Sequence, residues 1–246
     1  MSEAIVFTSG KGGVGKTTTI ANIGTVLSQF DKKVIMLDTD MGLRNLDVVM
    51  GLEDQIRYNL IDVLEKKCRL KQAIIRDKRY PNLHMIPAAL KFDHLHNYES
   101  DFKELIGQLK KEFDYCLIDC PAGIGSGYRL ATVAVDRAIV ITTPHISAVR
   151  DAGRIIYQLQ KDKINDINLV INEYDERMVR HHDMLSKADI EELLGITSIG
   201  IIPADKKIII SQNKGTPVVS FRSKSTNRFI DIASYVDKEK AGALIE

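Results

Sequence analysis

The sequence predicts an α/β fold: a mostly parallel, twisted sheet with helices on both faces. Three observations predict it. Short apolar, β-branched runs recur along the 246 residues, without the in–out alternation of a half-exposed strand, as burial on two faces requires. Segments with helical spacing separate them, which is the βαβ rhythm. Between the first run and the first helical segment lies Gly10-Lys11-Gly12-Gly13-Val14-Gly15-Lys16-Thr17. It fits G-x-x-x-x-G-K-[ST], so the class narrows to the P-loop NTPase fold.

Taken in order, the run at 4–8 reads as the first strand, ending in Ser9-Gly10. Ile20, Ile23, Val26 and Leu27 then fall at helical spacing and predict a helix over 17–30. Further strands are expected at 34–37, 83–86, 115–118, 138–142, 167–172 and 198–202. Helices are expected near 60–65, 101–112, 127–135, 148–160, 187–194 and 227–236. With no Pro/Ser-rich linker and no repeat, residues 1–246 read as a single P-loop ATPase domain, with 237–246 as a poorly ordered tail. Residues 91–99 are expected to be the least ordered internal stretch.

Composition excludes some classes. The net charge of +1 supplies no global field for nucleic acid or an anionic membrane. No apolar run nears the ~20 residues that span a bilayer. The first strand starts too early to leave room for a signal peptide. Three cysteines beside a phosphate loop point to a reducing, cytoplasmic setting. Cys116 and Cys120 read as small buried apolar residues on one strand face. His84, His94 and His96 read as solvated loop residues, because neighbouring cysteines are absent and carboxylates sparse.

The loop defines the first part of a site. Gly10, Gly12, Gly13 and Gly15 permit positive φ and close backbone approach. The N–H groups around Val14, with the positive end of the following helix, attract phosphate. Lys16 can reach the β- and γ-phosphates, and the Thr17 hydroxyl can ligate Mg²⁺. Three aspartates complete it. Asp38 and Asp40 follow one predicted strand, and Asp119 follows another. Ligands in open α/β sheets sit outside the carboxyl ends of strands. Asp119 suits the metal with Thr17, Asp40 the attacking water, and Asp38 supports either role. The turn Pro121-Ala122-Gly123-Ile124-Gly125 could sense a γ-phosphate.

Further motifs carry a resemblance. Lys11 to Thr18 is similar to the deviant Walker A motif of the MinD/ParA family of dimerising ATPases. Asp38-Thr39-Asp40-Met41-Gly42-Leu43-Arg44-Asn45-Leu46-Asp47, Asp119-Cys120-Pro121-Ala122-Gly123, Ser147-Ala148-Val149-Arg150-Asp151 and Ile201-Ile202-Pro203-Ala204-Asp205 resemble the same family, from about residue 4 to 220. The resemblance implies ATP as nucleotide, Mg²⁺, and an ATP-dependent homodimer with Lys11 reaching the partner's phosphates. It places Asn172, Pro203 and Asp205 at the adenine, and Thr18 in the nucleotide cradle. It implies division-site positioning, with an inhibitor and an ATPase-activating protein as partners. The chain departs from the pattern at Gly125 and at His145, where members often carry Glu.

Members of the division-site branch end in an amphipathic membrane helix. Phe229, Ile230, Ala233 and Val236 instead read as the face of a core helix, and the tail lacks an aromatic or basic face, so recruitment to the inner face of the cell membrane is expected only if the native protein extends beyond Glu246. Two alternatives within the family are a partitioning ATPase binding DNA non-specifically and a flagellar-number regulator. The first wants a basic surface, but Arg222, Lys224 and Arg228 are interrupted by Asp231 and Asp237. The second usually has an extension before the first strand.

Overall fold

A computed structural model describes residues 2–90 and 98–237. Its strands are β1 (Glu3–Thr8), β2 (Val34–Asp38), β3 (Ile75–Arg76), β4 (Leu83–Ile86), β5 (Tyr115–Asp119), β6 (Arg137–Thr142), β7 (Ile167–Tyr174) and β8 (Ser198–Pro203). They form one sheet in the order β3-β4-β2-β5-β1-β6-β7-β8. All neighbours are parallel except β3, which runs antiparallel to β4 at one edge.

The helices are α1 (Lys16–Gln29), α2 (Leu46–Met50), α3 (Leu60–Leu64), α4 (Leu70–Ala73), α5 (Glu99–Leu109), α6 (Ser126–Thr132), α7 (Ile146–Lys161), α8 (Glu176–Arg180), α9 (Lys187–Leu194), α10 (Lys206–Gln212) and α11 (Thr226–Val236). The sheet has a core on each side, and the period of two along each strand divides its residues between them. In β1, Val6 joins one core with Phe102 of α5, Tyr128 of α6 and Ile155 of α7. Ile5 and Phe7 join the other with Ile20 and Ile23 of α1 and Phe229 of α11. Each such fully buried side chain contributes about 1.5–3 kcal/mol. The predicted strands and long helices are therefore present, with ends moved by one to a few residues.

The structure corrects several expectations. β3 and the short helices α2, α4, α8 and α10 were not anticipated. His84 is no loop residue: it lies in β4, edge-on to the Phe113 ring at 5.1 Å, and burial lowers its pKa. His94 and His96 lie outside the described residues, as do most of 91–99 and the tail beyond Asp237. Asp237 itself is buried, accepts from the Tyr115 hydroxyl at 3.2 Å and pairs with Lys32 at 3.4 Å, so it does not dilute a surface basic cluster. Arg228 does pair with Asp231, at 3.4 Å. On α11 the buried face is Phe229, Ile232, Ala233 and Val236; Ile230 turns outward. Cys116 and Cys120 are fully buried on one core face, and burial pushes both thiols up to about 12.

Candidate functional site

The carboxyl end of β1 feeds Ser9 and the loop 10–15, and Gly15 stands as N-cap of α1. The loop is held on three sides. Ser9 Oγ donates to the Lys11 carbonyl at 2.8 Å. Gly10 lies so close to the first turns of α7 that a Cβ there would come within 2.3 Å of the Asp151 carbonyl oxygen. Asn172, near the end of β7, donates through Nδ2 to the Val14 carbonyl at 2.9 Å. Gly15 has φ +91°, and a Cβ on it would overlap that same amide. Two positions thus need glycine for packing, and Gly15 also needs it for its left-handed backbone.

Beside the loop opens a cleft of about 1210 Å³ whose walls include Lys16, Thr17, Thr18, Asp40, Gly51 and Gly215. Asp38 is fully buried at the end of β2, and its two oxygens accept from the Asp40 N–H at 2.9 Å and the Leu46 N–H at 3.2 Å. Its carboxylate fixes the Asp40-to-Leu46 turn and starts α2, so it serves Asp40 through the backbone. Burial raises the Asp38 pKa, the adjacent Asp119 adds to the rise, and the two N–H bonds oppose it. Burial also raises Asp119, offset by the Thr17 hydroxyl and the Lys16 ammonium. Asp40 is half-buried and likewise raised by burial against the pull of Lys16.

One Asp119 oxygen, Oδ1, is buried with no hydrogen-bond partner. An orphaned carboxylate oxygen next to a serine-type hydroxyl and an expected phosphate fits a divalent cation, which replaces the missing donor. Thr17 and Asp119 are neighbours, the Thr17 hydroxyl acting against the rise in the Asp119 carboxyl pKa. Among the described residues there is no separate cluster of three His, Cys, Asp or Glu side chains suited to a metal.

Lys11 takes a different position from Lys16. Lys16 is buried at the start of α1, whereas Lys11 is exposed at the crest of the loop, its Nζ 3.5 Å from Ser147 Oγ at the start of α7. Pro203 and Asp205 are not brought to the cleft. Pro203 lines a separate groove of about 860 Å³ along the β8 edge. Asp205 is N-cap of α10: it accepts from the Lys207 N–H at 2.9 Å, and from Ser225 Oγ at 2.9 Å. Pro121 and Ala122 do line the cleft, and the Gly123 N–H bonds the Ser9 carbonyl at 3.0 Å. Neither Gly125 nor His145, the N-caps of α6 and α7, caps its helix through a side chain.

Sequence reasoning missed the wall opposite the loop. Gln212, at the end of α10, donates to Thr18 Oγ1 at 2.5 Å, and the Val219 N–H donates to Asn22 Oδ1 at 3.1 Å. Both bonds tie a segment some 190 residues downstream onto α1. The only signal was Asn213-Lys214-Gly215-Thr216-Pro217, a turn-like composition with no hint of its partner.

A glycine loop between β1 and α1, two lysines in different settings and carboxylates at neighbouring strand ends define a P-loop nucleotide-binding ATPase. The comparisons narrow this. The AAA domain family model matches residues 2–173. The septum site-determining protein MinD of Synechocystis sp. is 49% identical over 219 residues, 89% of this chain and 82% of that one. The MinC:MinD cell division protein complex of Aquifex aeolicus superposes with TM-score 0.88 at 37% identity, covering 96% of each chain. The Pyrococcus horikoshii MinD complexed with Mg-ADP does so with TM-score 0.87 at 31% identity, covering 99% of this chain and 98% of that one. The chain belongs to the MinD family of septum site-determining ATPases.

Proposed function

We propose that this chain is an ATP-hydrolysing dimerisation switch that positions the cell-division site. The observation that carries the mechanism is the contrast between Lys16, buried against the cleft, and Lys11, exposed on the crest of the same loop. Lys16 neutralises the phosphates of its own subunit. Lys11, exposed and held only by a long 3.5 Å contact to Ser147 Oγ, can reach a phosphate bound by a second copy.

In this reading residues 1–246 act as one ATPase domain in the cytoplasm. The loop N–H groups from Gly10 to Thr18 hold the phosphates. Mg²⁺, held by Thr17 and Asp119, would neutralise charge on the β- and γ-oxygens. Asp40 orients the attacking water, and Asp38 fixes Asp40. Asn172 spends its amide N–H on Val14, which leaves Oδ1 to accept from the adenine amino group. Closure of the dimer completes the site, so hydrolysis is dimer-activated and then releases the dimer. The MinC:MinD relative supports a division inhibitor as partner, and a separate ATPase-activating protein is expected. The alternatives, DNA partitioning and flagellar-number control, have no such support.

The test is ATP hydrolysis with Mg²⁺ and with chelator, on wild type and Lys16→Ala. Wild type should release phosphate only with Mg²⁺. Lys16→Ala should lose ATP binding, since a charge-assisted phosphate contact contributes about 1.5–3 kcal/mol. Hydrolysis unaffected by chelator, or by the substitution, would defeat the assignment.

A further inference from the structure

The wall facing the phosphate loop is built from two segments far apart in sequence, and one side chain joins them. At the end of α2, Gly51 has φ +62°, and Gly215 has φ +57°. Their backbones touch: a Cβ on Gly51 would come within 2.6 Å of the Gly215 carbonyl oxygen, and one on Gly215 within 2.6 Å of Gly51 Cα. Both glycines line the cleft. The Arg79 guanidinium spans the pair. It donates to the Met50 carbonyl on one side, and to the Gly215 carbonyl at 2.8 Å and Thr216 Oγ1 at 3.3 Å on the other. Asp77, itself 1% exposed, fixes the fork from behind at 3.0 Å to Nε and 2.7 Å to Nη2.

From this geometry we infer that Arg79 is a positioning residue for ATP hydrolysis, acting on Asp40 through α2. The path is short. Asp38 anchors the N-terminal end of α2 through Leu46 and anchors Asp40 directly. Arg79 anchors the C-terminal end of the same helix at Met50. α2 spans only five residues and cannot hold its own geometry, since isolated short helices are marginal. With Arg79 in place, the turn that carries Asp40 is fixed at both ends of the helix that follows it. Without it, the C-terminal end of α2 is held by packing alone, Met50 in the core, while the turn keeps its bonds to Asp38 and Ala89. The phosphate loop itself is braced by Asn172 and packs on α7, and the segment that Arg79 holds reaches α1 through Gln212 on Thr18, so loss of Arg79 should weaken nucleotide binding less than it slows hydrolysis. A lysine cannot replace the fork, because an ammonium is a point charge without the planar set of donors that meets carbonyls on both segments and Asp77 together.

The inference rests on the reading of Asp40 given above. It is tested by steady-state hydrolysis and nucleotide titration on full-length wild type, Arg79→Lys, Arg79→Ala, Asp40→Ala and Arg79→Ala/Asp40→Ala, with thermal melts to confirm folding. Misplacing a catalytic group by an ångström can cost on the order of 10²-fold. Arg79→Lys, the variant that keeps charge and bulk, should lower kcat by about tenfold or more while KM and nucleotide affinity move by less than about threefold. In the Asp40→Ala background, removing Arg79 should change kcat by less than about twofold, because the two act as one unit. Folded Arg79→Lys with wild-type kcat, or effects of Arg79→Ala and Asp40→Ala that multiply, would overturn the inference. Asp40→Ala hydrolysing normally would instead overturn the reading of Asp40, an outcome separable from the first because it appears in the single variant.

Discussion

Gly15→Ala should damage the phosphate loop by a route that can be isolated. The new methyl meets two obstacles. At φ +91° an L-residue is in the left-handed region, which costs roughly 1–2 kcal/mol. The Cβ would also lie 2.2 Å from Asn172 Nδ2, so the amide must leave. That breaks the 2.9 Å bond to the Val14 carbonyl, and an unsatisfied buried acceptor costs about 1–3 kcal/mol. The sum is about 2–5 kcal/mol, against a total stability of roughly 5–15 kcal/mol. For a chain of this size the melting temperature should fall by about 4–20 °C. The protein has no tryptophan, so the melt is followed by far-UV circular dichroism. Asn172→Ala alone loses the same bond and should cost about 1–3 kcal/mol. The double variant decides the matter. With the amide gone there is no overlap, so Gly15→Ala/Asn172→Ala should be no less stable than Gly15→Ala alone, a coupling of about 1–3 kcal/mol. If the two costs simply add, the loop and β7 are not braced as described.

Two further outcomes follow. Asp40→Ala should bind ATP and persist as a dimer with little phosphate release, because removing water orientation raises the barrier without weakening ground-state contacts; sizing after ATP addition checks this, and normal hydrolysis would refute the role given to Asp40. At Asp205 burial raises the carboxyl pKa, but bonds from the Lys207 N–H and Ser225 outweigh it and leave it below the usual value. A depressed folded pKa gives stability that is present above the ordinary carboxylate range and lost as pH falls through the folded value. The stability gap between wild type and Asp205→Asn should therefore be widest near neutrality and close below about pH 4; a gap independent of pH would remove the charge from the account.

The long elements were legible because their patterns are long. Two-sided burial wrote β1, β2, β5 and β6 as apolar runs, and the loop motif located the phosphate site. Asp38, Asp40 and Asp119 could be placed at strand ends for the same reason. What failed had a local cause. α8 spans five residues and buries none of them, so no apolar face marks it in the sequence, and it is set by the Asp175 cap. Asp205 carried only a family role, whereas its carboxylate is occupied by Lys207 and Ser225. Ile230 and Ile232 are two residues apart on α11, and only packing against the sheet decides which faces inward. The Gly51–Gly215 contact, and Arg79 across it, join segments over 130 residues apart, which no single-sequence pattern encodes.

The central claim is that nucleotide controls dimerisation through Lys11. The measurement that meets it most directly is the solution mass with Mg²⁺ and ATP against Mg²⁺ and ADP, on wild type and Lys11→Ala, with ATP binding titrated in parallel. Wild type should double in mass with ATP alone, and Lys11→Ala should stay a monomer with either nucleotide while keeping most of its ATP affinity. A wild type whose mass ignores the nucleotide, or a Lys11→Ala variant that dimerises as well as wild type, would contradict the account.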